Sequence, residues 1–218
     1  MSNAIILLSG GLDSTTLLYY AKAKGFKPYC LIFDYGQRHK KEIGIAKRIA
    51  RHARCPFHVL KITLPWQGSS LLDKSLTLPR RKNINSKEIP STYVPARNII
   101  FLSFAVSAAE AMKARAVFIG ANAIDYSGYP DCRPEFFHAF EAMINKGMKS
   151  GVQGKGIVIH TPLVHKTKAQ IINLGTRLKV PYHLTWSCYK GGAKPCGVCD
   201  SCVLRRKGFE QAQIKDPS

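Results

Sequence analysis

The sequence predicts an α/β fold: a parallel sheet covered by helices, followed by a small cysteine-rich C-terminal region. Three observations carry this. Short apolar runs alternate with helix-spaced segments from the N-terminus onward, a glycine turn separates the first strand from the first helix, and four of the seven cysteines crowd the end of the chain.

Residues 4–8 are a short apolar run, the length of a buried strand, ending in Ser9-Gly10-Gly11. Residues 14–24 set Leu17, Leu18 and Ala21 on one side of a helix that Gly25 stops. Residues 29–33 are a second apolar strand. Residues 40–53 place Ile43, Ala46, Ile49 and Ala50 at helical spacing, and residues 57–62 form a third strand. This βαβαβ order is that of a parallel sheet, because parallel neighbours need a crossover element between them. Residues 63–95, rich in Ser, Pro, Lys and Arg, lack periodicity; so long a loop inside a compact domain is functional or mobile. A helix over 98–112, a strand over 116–119 ending at Gly120, a helix over 134–146, a short strand over 157–161 and a helix over 168–178 complete the series. The expected division is a main domain over residues 1–180 and a cysteine-bearing region over residues 181–218.

With 218 residues, 45% of them apolar, the chain buries one sizeable core, which excludes disorder. No apolar run approaches the roughly 20 residues of a membrane span. The opening MSNAIILLSGG lacks a basic leader segment and reads as a strand rather than a signal peptide, so a cytoplasmic protein with no membrane partner is expected. The 33 Lys and Arg against 13 Asp and Glu leave +20, which makes nucleic acid a possible partner, though not a required one. The excess gathers between Arg38 and Arg54 and again at Arg80, Arg81, Lys82 and Lys87. These segments read equally as polyanion-binding patches or as a plain solvated helix face and basic loop.

The run Ser9-Gly10-Gly11-Leu12-Asp13-Ser14-Thr15 joins a strand to a helix. Glycine lets backbone N–H groups approach an anion, the helix N-terminus adds unpaired donors, and Ser9, Ser14 and Thr15 add hydroxyls. A bare glycine turn with a capping Asp or Ser would look alike over a shorter stretch. The full SGGxDS pattern directly after the first strand is that of the PP-loop, which cleaves ATP between its α and β phosphates. It has neither the Walker A spacing nor the dinucleotide G-x-G-x-x-G. The expected architecture is therefore a Rossmann-like PP-loop domain.

Cys188, Cys196, Cys199 and Cys202 are the second strong signal. An odd total and uneven clustering argue against a secreted disulfide framework. Four sulfurs with no open position describe a structural zinc site, one ion per chain, in a region too small to hold its own core. An iron–sulfur cluster and a redox pair share parts of this spacing. Arg205, Arg206 and Lys207 would offset the charge of the site or form a surface patch. Cys30 and Cys55 read as core residues.

Other segments sit where strand ends place ligands. Asp34 to His39 leaves the second strand. Val94-Pro95-Ala96-Arg97-Asn98 offers a phosphate-binding guanidinium in Arg97, with Asn98 a helix cap. Gly120 to Arg133 carries Asp, Tyr and Arg suited to a planar hydrogen-bonding molecule, and Cys132 there lacks a partner His. Lys166 and Lys168 precede the last predicted helix within reach of phosphate.

Taken together, SGGLDSTT, FDYGQRHKKEI, the ST-Y-VPARN stretch, DYSGYPDCRPEF and the closing SCY…CGVCDSC resemble the 7-cyano-7-deazaguanine synthases of queuosine and archaeosine biosynthesis, over nearly the whole chain. Ala96 stands where that family more often has glycine. The resemblance implies a nitrile-forming ligase that takes 7-carboxy-7-deazaguanine, ammonia and ATP with Mg²⁺, as a homodimer. It implies ATP contacts from Leu8, Ser9, Gly10, Gly11, Leu12 and Asp13 through Ser14, Thr15, Thr16, Leu17 and Leu18, with Asp34 beyond. Asp13, Arg97 and Lys168 are the candidate catalytic residues, Tyr126, Asp131 and Arg133 the substrate contacts, and the four clustered cysteines the zinc ligands. Two rivals remain at this point: a tRNA-modifying PP-loop enzyme, which would use the basic charge, and a zinc-ribbon nucleic-acid module with a decayed nucleotide domain.

Overall fold

The computed structural model describes residues 2–66, 68–73, 75–78, 89–124 and 129–218. Among them, β1 (Asn3–Leu7), β2 (Lys27–Asp34), β3 (Phe57–Lys61), β4 (Ala116–Phe118) and β5 (Val158–His160) form one parallel sheet in the order β3-β2-β1-β4-β5. The helices are α1 (Leu12–Ala23), α2 (Lys41–His52), α3 (Arg97–Ala111), α4 (Pro134–Gly147), the single turn α5 (Lys149–Val152), α6 (Lys168–Arg177) and α7 (Asp200–Gln211). Each strand and helix expected from periodicity is present, with ends shifted by a few residues. The helices α5 and α7 were not expected.

β1 is central because it is apolar on both faces. Ala4 and Ile6 point into a core shared with α1, α2, α6 and α7, while Ile5 and Leu7 point into one shared with α3 and α4. Period-2 alternation between two covered faces produces this continuous apolar run. The chain leaves β1 toward β2 on one side and reaches β4 on the other. The carboxyl ends of β1 and β4 therefore flank the crevice where the strand order reverses.

The cysteine-bearing segment is built into this core. Trp186, Cys188, Cys199, Cys202 and Phe209 are buried in the cluster that contains Leu8 and Leu12, and α7 lies against α6. The sequence hides α7 because its buried face is Ser201, Cys202, Arg205, Gly208 and Phe209. The spacing is helical, but small and charged residues carry it.

Candidate active site

A cavity of about 280 Å³ opens at the crevice, lined among others by Ser9, Gly11, Asp13, Ser14, Arg97 and Lys168. Its floor is the turn between β1 and α1. Gly10 has φ +82°, and a Cβ there would sit 2.9 Å from the Glu42 carbonyl oxygen and the Ala46 nitrogen, so the turn closes onto the backbone of α2 only as glycine. Gly120, just beyond β4, passes α1 so closely that a Cβ would lie 3.2 Å from Ser14 N and Cα. The Ser9 and Ser14 hydroxyls are 3.0 Å apart, and Ser9 Oγ accepts from Gly11 N at 3.3 Å. No side chain caps α1 at Gly11, so its first-turn amides are left for an anion.

Above this floor Lys168 donates to both Asp13 carboxylate oxygens, at 2.8 and 2.7 Å. The lysine is buried at the start of α6, where Thr167 and Gln170 form a capping box. Gly208 of α7 leaves room for the lysine stem, since a Cβ there would overlap Lys168 Cβ and Cγ. Arg97 begins α3. Burial opposes its charge, but Tyr35, Tyr129 and Asp131 outweigh that and hold the guanidinium firmly protonated.

Several expected contacts lie elsewhere. Thr15, Thr16, Leu17 and Leu18 have no exposure and face away from the cavity. Thr15 Oγ1 donates to Gly11 O at 2.7 Å, which removes it as a phosphate donor, and Thr16 Oγ1 bonds Tyr182 Oη at 2.9 Å. Gly10 shapes the loop rather than lining the cavity. Asp34 pairs with Lys40 at 3.3 Å outside the wall. Arg133 is exposed and also outside it. Asp131 is buried and acts on the backbone: its Oδ2 accepts from Asn98 N at 3.2 Å and its carbonyl from Asn98 Nδ2 at 2.9 Å. Asn98 is thus not the cap of α3; Asp131 supplies the acceptor from across the chain. Cys132 lines the cavity, but burial pushes its thiol up to about 12, so it is no nucleophile at neutral pH. Tyr126, Arg80, Arg81, Lys82 and Lys87 lie outside the described residues.

The cavity wall also holds residues to which motif reading gave no part in this site. Glu42 in the first turn of α2, Trp186, and Arg205 on α7 all line it. Arg205 is no surface patch: it is 6% exposed, bonds Asp216 at 2.8 and 2.9 Å, and donates to Thr185 Oγ1 at 2.7 Å. Glu42 did leave a trace, as the sole acid between Asp34 and Asp73. Trp186 left none, and Arg205 was read only as a charge beside the cysteines, because folding of the segment after Pro181 brings both in.

The Sγ atoms of Cys188, Cys196, Cys199 and Cys202 lie within 4.8 Å of one another. Sulfurs around a tetrahedral zinc at about 2.3 Å stand roughly 3.8 Å apart, so the four can hold one metal ion. Cys188 Sγ accepts from Lys190 N at 3.4 Å and Cys196 N at 3.3 Å. Burial tends to raise the Cys196 thiol, but the N–H groups of Val198 and Cys199 outweigh it and bring it to about 6. The knuckle is tied to α2 by Lys41, whose Nζ lies 3.4 Å from the Trp186 ring centroid and donates to Gly192 O and Ala193 O.

Known proteins resemble this chain in sequence and in fold. A 7-cyano-7-deazaguanine synthase of Acetivibrio thermocellus is 54% identical over 216 residues, 99% of this chain and 96% of the relative. One from Thermoplasma volcanium is 52% identical over 215 residues, 98% of this chain and 89% of the relative. An NMN synthetase from Francisella tularensis shares the fold at 16% identity with a TM-score of 0.51, covering 98% of this chain and 78% of that one. A family model described as Queuosine biosynthesis protein QueC matches residues 3–213. With that match spanning almost the whole sequence, and with relatives of this identity aligned along it, the chain belongs to the QueC family of queuosine biosynthesis proteins.

Proposed function

We propose that this protein is a ligase that converts 7-carboxy-7-deazaguanine and ammonia into 7-cyano-7-deazaguanine at the expense of ATP. The observation that carries the reading is the Asp13–Lys168 pair over the glycine turn at the crevice, in a chain of this family. A carboxylate resists ammonia because it is anionic and its oxygen leaves badly. Transfer of AMP to that oxygen, with departure of pyrophosphate, creates a leaving group. Ammonia then forms the C–N bond, AMP leaves, and an amide results. Adenylation of the amide oxygen and loss of a second AMP with the remaining N–H proton give the nitrile. Each carboxylate oxygen of the substrate departs on one AMP.

In this reading the protein positions and stabilises charge. Ser9, Gly11, Ser14 and the first-turn amides of α1 receive the departing pyrophosphate. Lys168 and Arg97 are the cations beside the glycine turn that meet the phosphates, while Arg38 and Arg205 in the same wall are engaged with the chain. Asp13 holds Lys168 in place and is the carboxylate that the loop offers near Mg²⁺, which neutralises the triphosphate. Tyr129 and Asn98, with the Asp131 that orients Asn98, form the side where a planar deazaguanine fits. The four cysteines hold a structural zinc, and residues 181–218 form a metal-held region against the main domain. α3 supports a homodimer: Ile99 and Phe104 are exposed on a helix without charge between Arg97 and Glu110. No helix among the described residues is long and apolar enough to cross a membrane, which accords with work in the cytoplasm.

The test is incubation of purified protein with ATP, Mg²⁺, ammonium and 7-carboxy-7-deazaguanine, read by mass spectrometry. Nitrile with AMP and pyrophosphate is the expected result. AMP formed only when tRNA is added, without nitrile, would move the activity to tRNA modification.

A further inference from the structure

The proposed reaction strips four protons from nitrogen between ammonium and nitrile, and no group discussed so far takes the first and the last of them. At neutral pH ammonia in water is mostly ammonium, which has no free electron pair. The final step also breaks an N–H bond as the nitrile forms. The cavity wall holds few groups able to accept a proton near pH 7. The Asp13 carboxylate has both oxygens engaged by Lys168. Cys132 is held as a thiol. Glu42 remains.

Its placement is fixed by the loop it abuts. The Glu42 carbonyl oxygen occupies the space that a side chain on Gly10 would need. The carboxylate, 25% exposed, lines the same cavity as Ser9, Asp13 and Arg97. No hydrogen bond ties it down among the described residues; His39 Nε2 is 4.0 Å away. The ionisable groups that face it are Arg97 from α3, Tyr35 beyond β2 and His39 before α2. Burial raises the Tyr35 phenol and lowers the His39 imidazole, so both are neutral near pH 7. Burial lifts the Glu42 carboxyl to about 7 against the opposing pull of Arg97. A base with that affinity both takes and releases a proton under working conditions.

We propose that Glu42 is the general base of the two nitrogen steps of the reaction. In the first, its carboxylate takes a proton from ammonium in the cavity; the freed ammonia forms the C–N bond to the acyl carbon, the C–O bond to AMP breaks with the electron pair on AMP, and the departing phosphate carries off the second N–H proton to leave a neutral amide. The carboxyl then returns its proton to solvent through the cavity mouth. In the second, after adenylation of the amide oxygen has released pyrophosphate together with one N–H proton, it takes the last N–H proton of the O-adenylated imidate, the electron pair of that bond completes the nitrile, and the second AMP leaves. Glu42 has no part in either adenylation. The assignment rests on the ligase reading above, and the experiment separates the two.

The experiment compares wild-type protein with Glu42→Gln in three assays: pyrophosphate–ATP exchange dependent on 7-carboxy-7-deazaguanine, trapping of the acyl adenylate by hydroxylamine, which is neutral near pH 7, and nitrile formation from ammonium. Exchange and hydroxamate are expected within about threefold of wild type, and nitrile down by about 100-fold or more. Nitrile formation within threefold of wild type overturns the assignment, as does a parallel fall in all three assays. Absence of substrate-dependent exchange in the wild type sinks the ligase reading itself. A check independent of the variant's folding is the wild-type rate at constant ammonium, which is expected to rise as pH passes about 7 and then level off instead of climbing on with free ammonia. A flat profile overturns the role of Glu42.

Discussion

At the scale of single residues, the ion pair of Asp13 and Lys168 ties stability to the proposed chemistry. Both side chains are largely withdrawn from water, 18% and 8% exposed. Removing one partner of such a pair leaves the other uncompensated, which costs about 3–5 kcal/mol. Asp13→Asn is therefore expected to lower the melting temperature and abolish exchange, whereas Asp13→Asn with Lys168→Met recovers the stability and not the activity. Equal melting of the single and double variants would show the pair to be structurally idle. Ala96 tells a different story. It precedes α3 at φ +54°, a left-handed conformation that costs a residue with a Cβ about 1–2 kcal/mol. This explains why glycine suits the position, and Ala96→Gly is expected to raise stability by up to about 1 kcal/mol in urea titration, since the flexible unfolded chain offsets part of the relief. Glu42 supplies a pH signature. Its carboxyl rises from 4.5 to about 7, so the folded state holds that proton more tightly than the unfolded chain. Its ionisation therefore lowers stability above pH 7, by at most about 3 kcal/mol, and the deficit fades as pH falls toward 4.5. Glu42→Gln should melt higher than wild type at pH 8 and no higher at pH 4.5.

Among the elements, α7 decides most. It starts within the metal knuckle, lies on α6, and grants through Gly208 the space that the Lys168 stem occupies. Gly208→Ala would press on Lys168 Cβ and Cγ, atoms too near the backbone to swing aside. Loss of about 10–100-fold in exchange is expected, with about 1–3 kcal/mol of destabilisation, although residue 208 touches no ligand. Wild-type exchange in this variant would show that α7 does not position Lys168. The elements differ in how legible they were. β1 and β2 were readable because burial on both faces leaves a plain apolar run, and α2 because one face alone is buried. α7 was not, because an arginine, a glycine and a serine fill its inner face. The cap of α3 was likewise invisible, since its acceptor, Asp131, is 33 residues from Asn98.

Across the whole molecule, the cysteine knuckle holds one wall of the cavity through Trp186, Lys41 and α7. Chelation is expected to lower the melting temperature and to remove exchange together with it, and metal analysis should return one zinc per chain. Iron with acid-labile sulfide in its place would change the identity of the centre. The +20 charge is spread differently from the way the sequence reads. Arg38 donates to Ser70 O and Leu76 O, Lys41 is spent on the knuckle and Arg205 on Asp216, so these three bind parts of the chain to one another. Bulk tRNA should accordingly bind weakly, with an affinity that falls steeply between 50 and 200 mM salt. Tight binding that persists at the higher salt would demand a specific RNA site.

By itself the sequence determined the sheet, the glycine turn and the four thiols, because each is local: a period, a spacing, a residue type that no other can replace. Tertiary structure alone decided which side chains share the cavity. It turned Thr15 and Leu17 inward, sent Arg133 to solvent, set Asp131 to cap α3, and brought Glu42, Trp186 and Arg205 to the wall. Helix rotation and chain crossing set these outcomes, through contacts between residues far apart in sequence, and no local pattern records them.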